Sequence, residues 1–258
     1  MSFDSRPNPW LAISRPNPKL MMRLFCFPYA GGTAAIYRGW SEIISPTIEV
    51  CAVQIPGRGT RIDERPYTDL RLLVSAISEA LLPCLDKPFA LFGHSLGASL
   101  AFELSSLLQR KHSIETACPF VSARRAPRVP NDSPITYNLP EEEFLAHLRT
   151  LNGTPSEVLE NSELMQLMLP VLRADFQLIQ TYEYQEEPPL NCPITAFAGV
   201  DDVKVTPKQI EAWREHTTSR FGLHTLPGNH FFIHSKQQDL LRILTRELYQ
   251  CVSGLMSA

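Results

Sequence analysis

Short apolar runs alternate along this chain with longer segments in which apolar residues recur every three or four positions. The short runs have the length of buried strands and lie at residues 22–27, 48–53, 88–92, 116–122, 194–198 and 221–226. The segments with helical spacing follow them, at residues 36–44, 70–85, 96–108, 207–216 and 237–252. Strands that alternate with helices predict an α/β fold with a mostly parallel central sheet and helices on both faces.

One stretch, at about residues 133–190, departs from this alternation. Helical spacing at residues 141–151 is followed by helical spacing at residues 163–184, with no convincing strand between them. Long insertions beside a site often form lids, so we expect a helical lid insertion here. An ordinary helical subdomain is the alternative. Residues 1–20 are rich in proline and asparagine and predict an irregular arm.

Size and charge narrow the range of functions. The 258 residues are 44% hydrophobic, which suffices for one large core, and we expect a single domain over residues 1–258. A net charge of −3 does not favour nucleic acid or an anionic membrane as the partner. The N-terminus has no signal-peptide pattern, and no apolar run is long enough to cross a membrane. The six cysteines form no Cys-x-x-Cys pair, which predicts free thiols in a cytoplasmic protein without disulfides or zinc.

Residues 91–98 read Leu-Phe-Gly-His-Ser-Leu-Gly-Ala and join a predicted strand to a predicted helix. Gly93 and Gly97 flank Ser95, so the chain can turn sharply there without a clash of a Cβ atom. The Gly-x-Ser-x-Gly pattern in this context is typical of the nucleophile elbow of α/β-hydrolases, which exposes a serine hydroxyl at the N-terminus of a helix. Ser95 is therefore the candidate nucleophile.

A serine hydroxyl needs a base to accept its proton and an acid to orient that base. In this fold the chain order is serine, acid, histidine. His230 follows the last predicted strand and precedes the last predicted helix, so it is the candidate base, with His234 as the alternative. His94 is adjacent to Ser95, and we expect its side chain to point elsewhere and to support the turn.

The acid is expected in the turn after the strand at residues 194–198, where Asp201 and Asp202 follow Gly199. A carboxylate in this turn can reach the loop of the base. Hydrolases of this fold usually carry the acid three residues after the turn glycine, which favours Asp202. Asp201 would then cap the turn or the helix near Thr206, and it stays open as the alternative acid.

Two backbone N–H groups are needed to bind the negative charge that develops on the attacked carbonyl oxygen. Leu96, the residue after the nucleophile, supplies one of them. The loop at residues 28–32, Pro-Tyr-Ala-Gly-Gly, follows the first predicted strand, and Ala30 is the candidate for the other. The two glycines would also suit a tight strand–helix connection, and the two roles are compatible.

Several segments together resemble the type II thioesterases, free-standing α/β-hydrolases that serve nonribosomal peptide and polyketide synthases. The matching segments are residues 27–32, 56–59 with Arg61, 93–97, 122–127, 151–155, 172–176, Trp213 with 216–218, and 227–232. The resemblance runs from about residue 8 to residue 250. It departs at Asn229, where a second glycine is usual, and at Leu96, where methionine is frequent.

The resemblance implies a catalytic triad of Ser95, Asp202 and His230, with Ala30 and Leu96 as backbone oxyanion donors. It implies hydrolysis, through an acyl-enzyme, of acyl or aminoacyl thioesters on the phosphopantetheine arm of acyl or peptidyl carrier proteins. It implies neither metal nor cofactor, and we expect a monomer. A small-molecule carboxylesterase or lipase is the alternative, and a non-catalytic carrier-protein binder is a further one.

Carrier proteins are generally acidic around the pantetheine attachment site, so positive charge is expected at the mouth of the site. Five arginines follow two predicted strands at their C-terminal ends, where open α/β sheets form their sites: Arg58, Arg61, Arg124, Arg125 and Arg128. These arginines are candidates for docking a carrier protein. Pairing with Glu64 or Asp132, or anchoring of the lid, is the alternative.

Overall fold

A seven-stranded sheet forms the centre of the computed structural model, which describes residues 8–13, 20–151, 153 and 159–256. The strands are β1 (Leu11–Ile13), β2 (Met22–Phe27), β3 (Ile48–Val53), β4 (Phe89–His94), β5 (Pro119–Ser122), β6 (Ile194–Gly199) and β7 (Phe221–Leu226). They lie in the order β1-β3-β2-β4-β5-β6-β7. β1 is antiparallel to β3 and the other pairs are parallel, which confirms the predicted α/β class.

Helices connect the parallel strands. They are α1 (Trp40–Ile43), α2 (Leu70–Leu81), α3 (Leu96–Leu107), α4 (Glu141–Leu151), α5 (Ser162–Gln180), α6 (Pro207–Glu211), α7 (Phe232–Ser235) and α8 (Gln237–Met256). Polar side chains fix several of their starts, because the first N–H groups of a helix have no partner within it. Asp69 accepts the N–H of Leu72 at α2, and Thr206 and Gln209 form a reciprocal capping box at α6.

The core lies on both faces of the sheet because successive side chains of a strand point to opposite faces. In β4, Ala90 and Phe92 pack on the face covered by α1 and α8, whereas Phe89 and Leu91 pack on the face covered by α2 and α3. β4 is buried throughout its length. The elbow that follows it therefore stands on a buried strand in the middle of the seven-stranded sheet.

In the described residues, the helical insertion predicted between the strand after the elbow helix and the strand near Ile194 contains α4 and α5. Its N-terminal part has a small core of its own, in which Phe144 and Leu148 of α4 pack on Leu169 of α5. The C-terminal part of α5 packs differently, since Leu178 joins the core of the sheet. α5 thus bridges the insertion and the main core, and the role of the insertion as a lid stays a prediction.

The structure differs from the sequence prediction mainly at element boundaries. The single helix expected over residues 36–44 is a 3₁₀ turn and the four-residue α1, separated by Gly39 with a φ of +82°. α2 ends at Leu81, because Pro83 lacks the N–H needed for another helical turn. β1 lies within the segment predicted to be an irregular arm, most of which falls outside the described residues.

The structure was searched for disulfides, metal-binding clusters and membrane-spanning helices. All six cysteines are free thiols. Within residues 8–13, 20–151, 153 and 159–256, no group of three or more His, Cys, Asp or Glu side chains is arranged to hold a metal ion. No helix in that part of the chain is long and apolar enough to cross a membrane.

Candidate active site

Ser95 lies in the tight turn between β4 and α3, with a φ of +54° and a ψ of −114°. Two glycines make this strained turn possible. A Cβ atom on Gly93 would lie 1.9 Å from the carbonyl oxygen of Gly97, and one on Gly97 would lie 2.0 Å from the carbonyl oxygen of Phe27. The elbow geometry predicted from the Gly-x-Ser-x-Gly pattern is therefore present.

A chain of hydrogen bonds leads from Ser95 into the protein. The Oγ atom of Ser95 is 3.0 Å from Nε2 of His230. The Nδ1 atom of the same ring is 2.8 Å from Oδ2 of Asp202. The fold thus brings together three side chains from the ends of three different strands, in the order serine, histidine, carboxylate.

The carboxylate of Asp202 is held on its other side by the backbone. Its Oδ1 atom accepts the N–H groups of Lys204 at 2.9 Å and Val205 at 3.3 Å. Burial by itself raises the pKa of Asp202, but the bond to His230 and the two N–H groups outweigh it, so the pKa lies below its ordinary value. Asp202 is consequently a fixed, ionised partner for the imidazole.

The alternative candidates lie elsewhere. Asp201 uses Oδ2 to accept the N–H of Gly228 at 3.2 Å, so it braces the loop that carries His230. His234 lies on α7 and contacts the hydroxyl of Tyr29 at 2.9 Å. Neither side chain takes part in the hydrogen-bond chain of Ser95.

His94 faces away from Ser95, as its position next to the nucleophile predicts. Its Nδ1 atom is 2.9 Å from Oγ of Ser122, and its Nε2 atom is 2.8 Å from the carbonyl oxygen of His230. Complete burial lowers the pKa of His94 well below its ordinary value, so the ring is neutral. His94 therefore connects β5 to the backbone of His230 and supports the elbow.

The two candidate oxyanion donors lie near the nucleophile. Leu96 is the first residue of α3, so its N–H precedes the hydrogen bonds of the helix. Ala30 lines the same cavity as Ser95 and His230. Among the residues that the structure describes, no acceptor takes the N–H of Ala30, whereas Gly31 and Gly32 both donate to protein acceptors.

The acceptor of the Gly31 N–H is Asp175 of α5, which the sequence analysis did not single out. Oδ2 of Asp175 lies 2.7 Å from that nitrogen. The same carboxylate pairs with the guanidinium of Arg58, and the structure buries Asp175 completely. The sequence carries a signal for this position, because Asp175 falls on the apolar face of its helix together with Leu172 and Leu178.

Ser95 and His230 line a cavity of about 380 Å³ under the helical insertion. Its apolar wall includes Leu148, Leu172 and Phe176, and its basic side chains are Arg124, Arg125, His147, Lys204 and His230. No aspartate or glutamate is among the described residues that line it. Burial lowers the pKa of Arg124 to about 9, which reflects how fully its guanidinium is desolvated.

The expectation that five arginines form an exposed docking surface is wrong for three of them, and the alternative of internal pairing holds for Arg61 with Glu64 and for Arg58 with a residue of the insertion. Arg58 pairs with Asp175, and Arg61 pairs with Glu64 at 2.6 Å, so both are buried and engaged. Arg124 is also buried. Position at a strand end predicts the correct edge of the sheet but not the direction of a long side chain.

The remaining two arginines differ from each other. Arg125 is half-buried, lines the cavity and donates from Nε to the carbonyl oxygen of Val129. Arg128 is exposed and pairs with Glu186 and Glu215, which lie in the segments that precede β6 and β7. Lys204 also lines the cavity and is exposed, and its ammonium group donates to the carbonyl oxygen of Leu151 at 2.8 Å.

Comparison with known proteins identifies the family of this chain. The family described as Thioesterase domain matches residues 22–248. The linear gramicidin dehydrogenase LgrE of Brevibacillus parabrevis is 45% identical over 251 residues, which are 96% of this chain and 95% of LgrE. The gramicidin S biosynthesis protein GrsT of Aneurinibacillus migulanus is 41% identical over 248 residues, which are 96% of this chain and 97% of GrsT.

Among solved structures, the type II thioesterase BorB from the borrelidin biosynthetic cluster superimposes with a TM-score of 0.85. It is 39% identical, and the match covers 93% of this chain and 97% of BorB. The family match extends over most of the chain, and the relatives are matched over nearly their full length. This chain therefore belongs to the Thioesterase domain family, as its sequence motifs predict, and is a thioester hydrolase with the α/β-hydrolase fold.

Proposed function

We propose that this chain releases acyl or aminoacyl groups from the phosphopantetheine arm of carrier proteins in a nonribosomal peptide or polyketide synthase. Two findings support this proposal. GrsT is a gramicidin S biosynthesis protein, and BorB is a type II thioesterase of the borrelidin cluster. Both match this chain over nearly its whole length.

The observation that carries the mechanism is the pair of hydrogen bonds that joins Ser95, His230 and Asp202. Oγ of Ser95 attacks the thioester carbonyl carbon while Nε2 of His230, 3.0 Å away, accepts the hydroxyl proton. The imidazole becomes a cation in this step. Asp202, 2.8 Å from Nδ1, stabilises that cation and keeps the ring in the tautomer that can accept the proton.

The tetrahedral intermediate carries its negative charge on the former carbonyl oxygen. The N–H groups of Ala30 and Leu96 bind this oxyanion. The C–S bond then breaks, the departing pantetheine sulfur takes the proton from His230 and leaves as the thiol, and the acyl group stays on Ser95 as an ester. Water, activated by the same imidazole, attacks this ester and releases the carboxylic acid.

The partner in this proposal is a carrier protein, whose acidic surface would face the cavity mouth. Lys204 is exposed at the cavity and Arg125 lines it, so they are the cations placed to meet acidic side chains. Charges of this kind act mainly on the rate of association and on its dependence on salt. We therefore place docking at Lys204 rather than at Arg58 or Arg61.

The test is to load a carrier protein with an acetyl, a longer acyl or an aminoacyl group and to measure release of the acid. A fluorophosphonate probe, which reacts only with an activated serine, should label the wild type and not Ser95→Ala. Labelling together with hydrolysis of p-nitrophenyl esters, but without release from any carrier protein, would instead indicate a small-molecule carboxylesterase. Neither labelling nor release would indicate a non-catalytic binder.

LgrE is named a dehydrogenase, so hydride transfer is a second reaction to test for this chain. It is tested in the same assay by adding NADPH, because reduction of a thioester consumes the reduced nicotinamide and gives an aldehyde or alcohol. We expect thiol release without NADPH and no oxidation of the nucleotide. Turnover that depends on NADPH would overturn the proposal.

A further inference from the structure

A buried ion pair links the helical insertion to the loop that carries the proposed oxyanion donor. The two carboxylate oxygens of Asp175 accept from Nη1 and Nη2 of Arg58 at 2.5 and 2.7 Å. Asp175 has no exposed surface, and Arg58 is 4% exposed. The partners come from α5 and from the loop after β3, which are 117 positions apart in the sequence.

This pair does more than neutralise two buried charges. Oδ2 of Asp175 also accepts the N–H of Gly31 at 2.7 Å. A buried ion pair is costly to desolvate, and it contributes little net stability compared with apolar side chains of similar volume. Its geometry, with one carboxylate joining a guanidinium and a loop N–H, points instead to a role in fixing the loop.

The turn at residues 29–32 explains how that bond reaches the oxyanion donor. The N–H of Gly32 donates to the carbonyl oxygen of Tyr29 at 2.9 Å. That carbonyl belongs to the same planar peptide unit as the N–H of Ala30, so fixing one fixes the direction of the other. Asp175 holds the next peptide unit through Gly31, whose φ of +76° makes the turn possible. Two consecutive peptide planes are thereby oriented.

We propose that Asp175, held by Arg58, is a positioning residue for the oxyanion hole, and that it ties the conformation of α5 to the orientation of the Ala30 N–H. This inference rests on the proposed function, since it assumes that Ala30 binds the oxyanion. Asp175 itself does not touch the substrate. Its effect is on the transition state, where the negative charge exists, and not on binding of the neutral thioester.

The kinetic consequence is a loss in kcat with KM unchanged. Complete loss of one oxyanion donor costs about 10² to 10³ in kcat. A loop that keeps its turn but loses the bond to Asp175 should retain part of that interaction. We therefore expect a decrease of roughly tenfold to a hundredfold.

Two double variants isolate the bond to Gly31. Arg58→Met with Asp175→Asn and Arg58→Met with Asp175→Leu both remove the ion pair and leave no buried charge. Asparagine and leucine have similar shapes, but only asparagine can accept the N–H of Gly31. We expect the leucine variant to hydrolyse an acyl N-acetylcysteamine at roughly a tenth or less of the kcat of the asparagine variant, with equal KM.

A second readout separates positioning from a general loss of structure. A trifluoromethyl ketone analogue of the thioester forms a hemiketal with Ser95, and its oxygen anion occupies the oxyanion hole. The inhibition constant of this compound should rise in the leucine variant by the same factor by which kcat falls. Binding of the non-hydrolysable ether analogue of the substrate, which has no carbonyl to attack, should not change.

The neighbouring ion pair serves as the matched control. Arg61 and Glu64 pair within the same loop after β3 and have no bond to Gly31. Arg61→Met with Glu64→Gln should leave kcat and the inhibition constant within about twofold of the wild type, because the hydrogen bonds of these two side chains lie within residues 54–64 and do not reach the turn at residues 29–32. Equal kcat in the two Arg58 double variants would overturn the proposal.

Hydrogen exchange in the wild type keeps the proposal testable if the leucine variant does not fold. Binding of the trifluoromethyl ketone should protect the amides of residues 27–32 and of the C-terminal half of α5 together. Protection of the loop alone would refute the link to α5. Failure of the wild type to bind the ketone at Ser95 would refute the proposed function itself, and the two outcomes are therefore distinct.

Discussion

Replacing Asp202 by asparagine tests the triad at its best-defined hydrogen bonds. Oδ1 of Asp202 accepts two backbone N–H groups, from Lys204 and Val205. An asparagine must keep its carbonyl oxygen on that side, because an amide NH₂ group cannot accept a hydrogen bond from the two N–H groups. Its NH₂ group then faces Nδ1 of His230, and the ring can meet that donor only with Nδ1 unprotonated. The proton therefore moves to Nε2, which points at Ser95 and can no longer act as the base.

The size of the effect follows from the loss of the correct tautomer. The corresponding change in a serine protease triad lowers kcat by about 10⁴. At about 1.4 kcal/mol for each factor of ten, this is about 5.5 kcal/mol of transition-state stabilisation. Asp201→Asn is the matched control, because its amide oxygen can still accept the N–H of Gly228. We expect that variant to lose no more than about threefold in kcat, within the worth of one exposed hydrogen bond.

The assay follows thiol release from an acyl N-acetylcysteamine under saturating conditions, with the rate of fluorophosphonate labelling as a second measure. Circular dichroism melts establish that both variants are folded. The reasoning is refuted if Asp202→Asn keeps more than a tenth of the wild-type kcat, or if Asp201→Asn loses more activity than Asp202→Asn. The second result would make Asp201 the acid.

Three further predictions address the nucleophile, the elbow and the docking surface. Ser95→Ala should lower kcat by at least about 10³ and abolish fluorophosphonate labelling without lowering the melting temperature; measurable acyl-enzyme in this variant would contradict the assignment. Gly97→Ala should lower the free energy of unfolding by more than about 3 kcal/mol, because its Cβ atom would lie 2.0 Å from a backbone oxygen of β2. The control is Gly222→Ala, whose Cβ atom would have no contact closer than 3.7 Å and which should cost about 1 kcal/mol or less. Urea denaturation measures both values. Lys204→Glu should lower kcat/KM for an acyl carrier protein several-fold more than for a small thioester and weaken its dependence on salt. Arg128→Glu is the control, because the partners of Arg128 lie before β6 and β7, and it should change neither kcat/KM for the carrier protein nor its dependence on salt. Equal losses of kcat/KM on both substrates for Lys204→Glu would argue against docking at Lys204.

The sheet and the reacting side chains could be predicted because both are indicated by short segments of the sequence. Apolar runs of strand length locate β2 to β7, and the fold then fixes the chain order in which nucleophile, acid and base occur. Asp202 and His230 each follow a strand that ends at the same edge as Ser95. Their hydrogen bonds agree with the expected roles, which remain predictions until the variants above are measured.

β1 and the first helix could not be predicted, because their signals are weak. β1 has three residues and is specified by its antiparallel pairing with Val53, Ala52 and Cys51 of β3 rather than by its own alternation. The first helical segment has apolar residues at helical spacing, yet Gly39 adopts a left-handed conformation that divides it. Pattern alone does not reveal which glycine takes a positive φ.

The buried arginines show why charge is harder to place than apolar surface. A strand end predicts that Arg58 lies near the site, and exposure is the usual state of an arginine. Its partner, Asp175, comes from a helix far along the chain, so nothing near Arg58 in the sequence indicates burial. The pair is easier to predict from the aspartate than from the arginine. An aspartate on the apolar face of a predicted helix will be buried, and a buried carboxylate requires a cation or hydrogen-bond donors beside it.

The same reasoning leads to Arg124, which is buried beside the cavity without a carboxylate partner among the described residues. Burial that lowers its pKa to about 9 works against the folded state, since the charged form is the one that is desolvated. We therefore expect Arg124→Met to raise the melting temperature. Thermal unfolding by calorimetry measures this directly, and Lys111→Met, an exposed change in the helical turn that follows α3, is the control. A lower melting temperature for Arg124→Met would show that the guanidinium stabilises the fold through contacts stronger than its desolvation, and the argument from burial would then fail.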